Sequence, residues 1–169
     1  MIKAIFAVDQ FGGIGLQGSL PWPHNASDMR HFAELTQGHV VVMGRRTWDD
    51  PKMPKPLEGR TVYVVTNTPV YQAATIRGNI ADEVLKLESR HPDQTIWVVG
   101  GADVIEQCDG IFDRLYLTHI KGSYKIDTRV NLKGLLSACR FRRASAAPED
   151  NCTFVEYEPL FKRTKTSTD

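Results

Sequence analysis

Val40-Val41-Val42-Met43-Gly44-Arg45-Arg46-Thr47-Trp48 reads as a strand buried on both faces that stops at a glycine and passes into a short helix, Arg45 to Asp50. A β-branched run without polar alternation has no solvent side, so such a strand belongs in a sheet covered on both faces. Working outward, residues 2 to 8 read as a second apolar strand and 26 to 37 as the helix between the two. Thr61 to Thr66 is another β-branched run, Asn79 caps a helix through Arg90, and Thr95 to Val99 is a strand ending on Gly100-Gly101, followed by a helix from Ala102 to Gln107. Arg114 to Ile120 is a further strand. Residues 139 to 145 and 152 to 158 read as an antiparallel pair around the turn-rich Ala146-Ala147-Pro148-Glu149-Asp150-Asn151. The rhythm predicts an α/β fold: a mixed, mostly parallel central sheet with an antiparallel C-terminal edge and helices on both faces. Ligand sites in such sheets lie at the carboxyl ends of the parallel strands.

The chain has 169 residues, 41% hydrophobic and 24% charged, the size of one domain, expected over 1–162 with 163–169 as a flexible polar tail. A net charge of +1, with no basic run beyond Lys162-Arg163-Thr164-Lys165, offers no surface for nucleic acid and leaves a small anionic ligand open. Cys108, Cys139 and Cys152 are widely spaced and form no Cys-x-x-Cys pair, which argues against a disulfide framework and against a metal site. The apolar run Met1 to Val8 breaks at Asp9, too short for a signal peptide or a membrane span. A cytoplasmic protein without membrane partners is expected, and a monomer, because no strongly apolar exposed stripe suggests an interface.

Asp28 is the residue that needs explaining. Asn25 is a good N-cap and Gly38 a good stop, and between them Asp28, Phe32 and Leu35 fall at i, i+4 and i+7, with Met29 flanking the same face. A carboxylate therefore occupies an apolar stripe. Its place in the first helical turn, where it meets the macrodipole favourably, is one sufficient reason. A ligand that completes a buried carboxylate is another.

Two strand ends look suited to anions. Gly44-Arg45-Arg46-Thr47 and Gly100-Gly101-Ala102-Asp103 each stand between a β-branched run and a helix, so backbone N–H groups can face a phosphate. No Gly-x-Gly-x-x-Gly is present, which argues against an ordinary Rossmann domain.

Over nearly its whole length the chain resembles dihydrofolate reductase. The resemblance rests on Ala7-Val8, Gly13-Ile14-Gly15, Leu20-Pro21-Trp22, Asp28 with Phe32, Val42-Met43-Gly44-Arg45-Arg46-Thr47-Trp48, Pro56-Leu57-Glu58-Gly59-Arg60, Val98-Val99-Gly100-Gly101, Leu115-Tyr116-Leu117-Thr118 and Asp127-Thr128. It implies reduction of 7,8-dihydrofolate by hydride transfer from NADPH, without a metal. By the same resemblance Asp28 holds the pterin amino group and ring N–H and assists protonation, directly or through a water. Trp22 is a water-holding wall beside it, and Thr118 a hydroxyl partner of the carboxylate. Leu20 completes the catalytic end. Ile5, Ala7, Met29, Phe32, Pro51, Leu57 and Val99 would line the pterin and benzoyl pocket, and Arg60 would clamp the glutamate α-carboxylate.

The resemblance assigns the cofactor to Ala7, Ile14, Gly15, Gly18 and Ser19 in a closing loop, to Gly44, Arg45, Arg46 and Thr47, and to Val99, Gly100, Gly101, Ala102, Asp103, Val104, Ile105 and Thr128. Thr66 and Asn67 would meet the 2′-phosphate with Arg45, which predicts NADPH over NADH. A cis peptide between Gly100 and Gly101 is implied too. The chain departs from the family's usual pattern where Ile105 replaces a common tyrosine and Val130 a usual aromatic, and Asp49-Asp50-Pro51-Lys52-Met53-Pro54-Lys55 is longer and more charged than in short bacterial members. Two rival functions are the NADPH reductase of riboflavin synthesis on the same fold, which lacks the Leu-Pro-Trp plus helical aspartate pair, and a non-catalytic folate or nucleotide binder.

Overall fold

The computed structural model of the chain describes residues 1–165. In chain order the elements are β1 (Ile2–Asp9), β2 (Gly13–Gly15), α1 (Ala26–Thr36), β3 (Val40–Gly44), α2 (Arg45–Trp48), β4 (Thr61–Val65), β5 (Ala74–Ile76), α3 (Ile80–Arg90), β6 (Ile96–Gly100), α4 (Ala102–Gln107), β7 (Arg114–Ile120), β8 (Thr128–Arg129), α5 (Leu132–Ser137), β9 (Cys139–Ala147) and β10 (Cys152–Pro159). Eight strands form one sheet in the order β5-β4-β3-β6-β1-β7-β10-β9. Neighbours from β5 to β7 are parallel, whereas β10 runs antiparallel to β7 and to β9. The fold is therefore the mixed, mostly parallel α/β sheet with an antiparallel edge. β2 and β8 form a separate two-stranded sheet.

Alternation along the strands divides the core. Ile2, Ala4, Phe6 and Val8 of β1, with Val40 and Val42 of β3, meet Val84 and Leu87 of α3, Val104 and Ile105 of α4 and Leu135 of α5. On the other face Val41 and Met43 join Trp48, Leu57, Val62 and Val64, and Phe32 of α1 packs against them. Burying such side chains yields about 1.5–3 kcal/mol each, so burial on both faces contributes most to holding the sheet together. α1 begins at Asn25, whose Oδ1 accepts from Asp28 N at 3.0 Å, and ends where Gly38 adopts φ +79°. Asp150, in the turn before β10, bonds Ser27 through its backbone N–H and its hydroxyl, and its carbonyl accepts from Asn25 Nδ2 at 2.8 Å. The first turn of α1, and with it Asp28, is thus tied to the sheet edge.

The expected free tail is tied down at its first residue. Arg163 Nη2 donates to Glu88 Oε2 at 2.6 Å and to Asp113 Oδ2 at 2.9 Å, and Asp113 Oδ2 also accepts from Ile2 N at 2.8 Å. Residues 166–169 lie outside the described residues. Burial raises the Glu88 and Asp113 carboxyls, but it is outweighed at Asp113 by the Ile2 N–H and Arg163 and at Glu88 by Arg163 and the N-terminal ammonium, which leaves both below their ordinary range. Carboxylates held low stabilise the fold above their unfolded pKa, and that contribution is lost as pH falls through the folded value. Arg163→Ala therefore lowers stability near neutral pH by about 1–3 kcal/mol, since it removes the guanidinium that two largely buried carboxylates share. The difference from the parent protein, read by thermal melts, narrows as the buffer is made acidic; a constant difference would refute the ion-pair account.

Candidate active site

The carboxyl ends of β1, β3, β4 and β6 border one cleft of about 500 Å³. Its lining includes Ile5, Ala7, Ile14, Gly15, Gly18, Ser19, Leu20, Asp28, Met29 and Phe32, then Gly44, Arg45, Arg46 and Thr47, and Val99, Gly100, Gly101, Ala102, Asp103, Val104 and Thr128. The family resemblance assigns each of these to a ligand. Phe6, Asp50, Lys52, Met53, Pro54, Val65 and Gln107 also border it.

At the apolar end, Asp28 Oδ1 accepts a 2.6 Å hydrogen bond from Thr118 Oγ1. Thr118 is 1% exposed in the middle of β7, so the carboxylate is fixed by a rigid strand rather than by a loop. Burial pushes the Asp28 carboxyl up, against the Thr118 hydrogen bond and the charge of His31, which both favour the ionised form. A carboxyl raised by burial in a cleft is a candidate for a role in proton transfer.

Several expected residues stand behind the cleft wall rather than on it. Trp22 is 3% exposed, in a cluster with Ala7, Ile120 and Cys152, and its buried indole N–H has no protein acceptor among the described residues. Leu57 belongs to the core cluster that supports Phe32. Arg60 lies over the Phe32 ring, 5.9 Å from its centroid, and donates to Thr36 Oγ1 at 3.3 Å and to Glu58 O at 3.2 Å. Pro51 is exposed and off the cleft: the turn in which Met53 N and Lys52 N bond to Asp50 directs it outward and presents Lys52, Met53 and Pro54 instead. Ile105 is fully buried among the α3 and β1 side chains and does not border the cleft, because α4 turns that position into the main core.

The opposite end is built for anions. α2 and α4 start at Gly44 and Gly101, neither of which carries a side-chain cap, so their first N–H groups are free for a ligand. A Cβ on Gly44 would come within 3.3 Å of Val104 Cγ2, so β3 and α4 approach closely there and any larger residue must push Val104 aside. The Gly100–Gly101 peptide is cis. Arg45 Nη1 donates to Thr68 Oγ1 at 2.9 Å and reaches Thr66 Oγ1 at 3.5 Å, while its Nε pairs with Asp49 Oδ2 at 2.9 Å. Thr66 thus meets Arg45 just outside the cleft. Asn67 is exposed and makes no such contact among the described residues, and Thr68 is the nearer hydroxyl. Ile14, Gly15, Gly18 and Ser19 come from the segment anchored by β2 and β8 and by Asp127, whose carboxylate accepts from Gln17 N at 2.8 Å.

Sheet and cleft together define an α/β protein with a two-ended ligand site, a cationic, glycine-rich end suited to phosphates and an apolar end to which Asp28 presents its carboxylate. The dihydrofolate reductase family model matches residues 1–158, and the chain belongs to that family. It is 32% identical over 138 residues to dihydrofolate reductase type 8 of Escherichia coli, covering 78% of this chain and 80% of that one. It is 36% identical over 129 residues to dihydrofolate reductase of Bacillus subtilis, covering 75% and 73%. Among solved structures it resembles dihydrofolate reductase from Enterococcus faecalis complexed with NADP(H) and RAB-propyl, with TM-score 0.75, 26% identity and coverage of 94% and 96%.

Proposed function

We propose that this chain reduces 7,8-dihydrofolate to 5,6,7,8-tetrahydrofolate with NADPH, using Asp28 to hold the pterin and assist its protonation. The observation that carries this reading is the Asp28 carboxylate, fixed by Thr118 at the apolar end of a cleft whose other end holds Arg45 and two uncapped helix starts. Bound in that cleft, NADPH supplies a hydride. The chain contributes position and charge. Gly44, Arg45, Arg46, Thr47 and the start of α4 hold the phosphates, and Thr66 and Thr68 brace Arg45 for the 2′-phosphate. Asp28 accepts paired N–H bonds from the pterin, a charge-assisted contact with a fixed orientation. Ile5, Ala7, Met29, Phe32 and Val99 exclude water around the ring. The free indole N–H of Trp22 suits a bridging water, through which Asp28 can direct a proton to the reacting nitrogen. Leu20 and Ser19 close the loop side.

Membership of the dihydrofolate reductase family favours this reading over the riboflavin-synthesis reductase. The same proposal makes the protein a target for diaminopyrimidine antifolates that bind Asp28. It has the protein act as a cytoplasmic monomer on a small molecule without nucleic acid, which the net charge of +1 supports. None of the described helices is long and apolar enough to cross a membrane. The test is loss of NADPH absorbance on adding dihydrofolate, with NADH as the comparison. NADPH-selective loss supports the reading, and tight NADPH binding without loss overturns it in favour of a silent binder.

Arg60 gives a sharper expectation at the substrate end. Its planar fork matches a carboxylate in two bonds, which a lysine ammonium cannot reproduce. Arg60→Lys raises KM for dihydrofolate about tenfold with little change in kcat, the loss of a charged hydrogen bond worth about 1.5–3 kcal/mol being partly offset by the remaining charge. Steady-state kinetics with a pterin lacking the glutamate should show no such change; equal loss on both substrates would remove Arg60 from tail recognition.

A further inference from the structure

His31 stands one helical turn beyond Asp28 on α1. Its ring stacks on Phe154 of β10, with centroids 4.1 Å apart and planes inclined by 24°. Phe154 is the cross-strand partner of Thr118, and Thr118 is the residue whose hydroxyl donates to Asp28. Helix spacing and sheet register therefore bring His31 and Asp28 onto one patch of sheet by two independent routes. The stack also fixes the imidazole, so its charge sits at a defined place relative to the carboxylate.

We infer that His31 is a positioning residue for Asp28: its charge, rather than its shape, sets how firmly the substrate end of the cleft keeps that carboxylate ionised. The inference deepens the reductase reading and rests on it for its consequence in turnover. Each group favours the charged form of the other, while burial opposes both. Burial holds His31 below the usual imidazole range against the pull of Asp28 and Glu34, and burial holds Asp28 above the carboxylate range against Thr118 and His31. Protonation of either group therefore bears on the charge of the other. As pH falls, His31 gains a proton and holds Asp28 ionised further into acid than its burial alone allows. That preserves the anion that a ring rich in N–H groups needs.

The other ionisable groups around this patch are already committed. Asp150 is bonded to Ser27 and faces Arg30 and His24. Glu156, on β10, pairs with Arg143 at 2.7 Å and with Arg142 at 3.4 Å. The Cys152 thiol is pushed up by burial and stays neutral. On α1 itself only Glu34 shares the attraction for His31.

The first test uses the ligand-free protein, so it reads the pair whether or not the protein reduces dihydrofolate. The His31 imidazole is titrated by NMR in the parent chain and in Asp28→Asn, and the Asp28 carboxyl in the parent chain and in His31→Phe, which retains the stack on Phe154. Loss of the anion should move the His31 midpoint to lower pH, and loss of the cation should move the Asp28 midpoint to higher pH. Unmoved midpoints in either titration overturn the inference. The second test measures binding of 2,4-diaminopyrimidine, a ring that needs the ionised carboxylate. His31→Phe and His31→Gln should both weaken it about threefold or more at acid pH and leave it unchanged at alkaline pH. Equal affinity at acid pH overturns the role of charge, as does weakening in one variant alone. Failure of the ring to bind the parent protein at all, with the midpoints shifted as expected, instead overturns the reductase reading and leaves the pairing standing.

Discussion

Asp28→Asn yields a folded protein that binds NADPH as the parent does and turns over dihydrofolate about 10²–10⁴-fold more slowly near neutral pH, the usual range for removing a positioned acid or base. The substitution keeps the shape and one acceptor oxygen for Thr118 but removes the charge. Two effects then add: the pterin loses a charge-assisted pair of hydrogen bonds, and protonation loses the group that directs it. The pH dependence separates this from simple damage. Burial raises the Asp28 carboxyl, so in the parent protein its protonated form persists to higher pH than for a free carboxyl, and turnover falls as pH rises through its folded pKa. In Asp28→Asn the carboxyl that the cleft presents to the ring is gone, and the proton must come from solvent. The rate then climbs steadily as the medium is acidified, without a plateau. Stability moves the other way. A carboxyl whose folded pKa is raised stabilises the fold below its unfolded value, and that contribution is lost as pH rises through the folded one. At neutral pH the ionised Asp28 is therefore a cost to the fold, and the variant should melt no lower than the parent. Undiminished turnover, or a pH profile parallel to the parent's, would remove Asp28 from the chemistry.

What made the fold legible is visible in particular strands. Val40–Gly44 and Ile96–Gly100 are apolar runs closed by glycine, Arg114–Ile120 is a β-prone run of mixed polarity, and α1 and α3 each announce themselves with an asparagine cap. The unread elements lack any such period. β2 and β8, three and two residues long, exist because the loop after β1 reaches a partner more than a hundred residues away, and no local signal encodes that pairing. β5 is a three-residue edge strand, and α5 carries Gly134 in its middle. The tie of Arg163 to Glu88 and Asp113 looks in sequence like part of a solvated basic tail. Only the meeting of both chain ends beside α3 gives that arginine partners.

The cleft was legible where chemistry is concentrated in short motifs, and not where it depends on which way a backbone turns. Gly44, Gly100 and Asp28 follow from strand ends and a helical stripe. Val65 ends β4 beside Gly44, so the rule that places ligands at carboxyl ends of parallel strands would also have found it. Thr68 and Gln107 carry no such mark. The exchange of Pro51 for Lys52, Met53 and Pro54 reflects one turn centred on Asp50. Ile105 shows the reverse case: a position expected at the ligand from its distance to the two glycines is turned by α4 into the core.

The other large effect concerns the cofactor's 2′-phosphate. Arg45→Gln raises KM for NADPH about 10- to 100-fold, as expected for losing a charged hydrogen bond worth about 1.5–3 kcal/mol, and leaves KM for NADH nearly unchanged. The reason lies in how the guanidinium is held. Its Nε is bound by Asp49 and its Nη1 by Thr68 and Thr66, which fixes the fork at the carboxyl ends of β3 and β4. The pair with Asp49 is exposed on both sides, 41% and 55%, so water screens it and it does little to cancel the charge that a phosphate would meet. Glutamine retains a donor but no charge, and so cannot distinguish a phosphate from a hydroxyl as strongly. Salt provides an independent check. Raising ionic strength should increase KM for NADPH in the parent protein, because the contact is partly exposed, and should affect Arg45→Gln much less. Were both cofactors weakened alike, with the salt dependence intact, Arg45 would belong to the pyrophosphate that NADPH and NADH share. The selectivity would then have to come from Arg46 or the threonines at the end of β4.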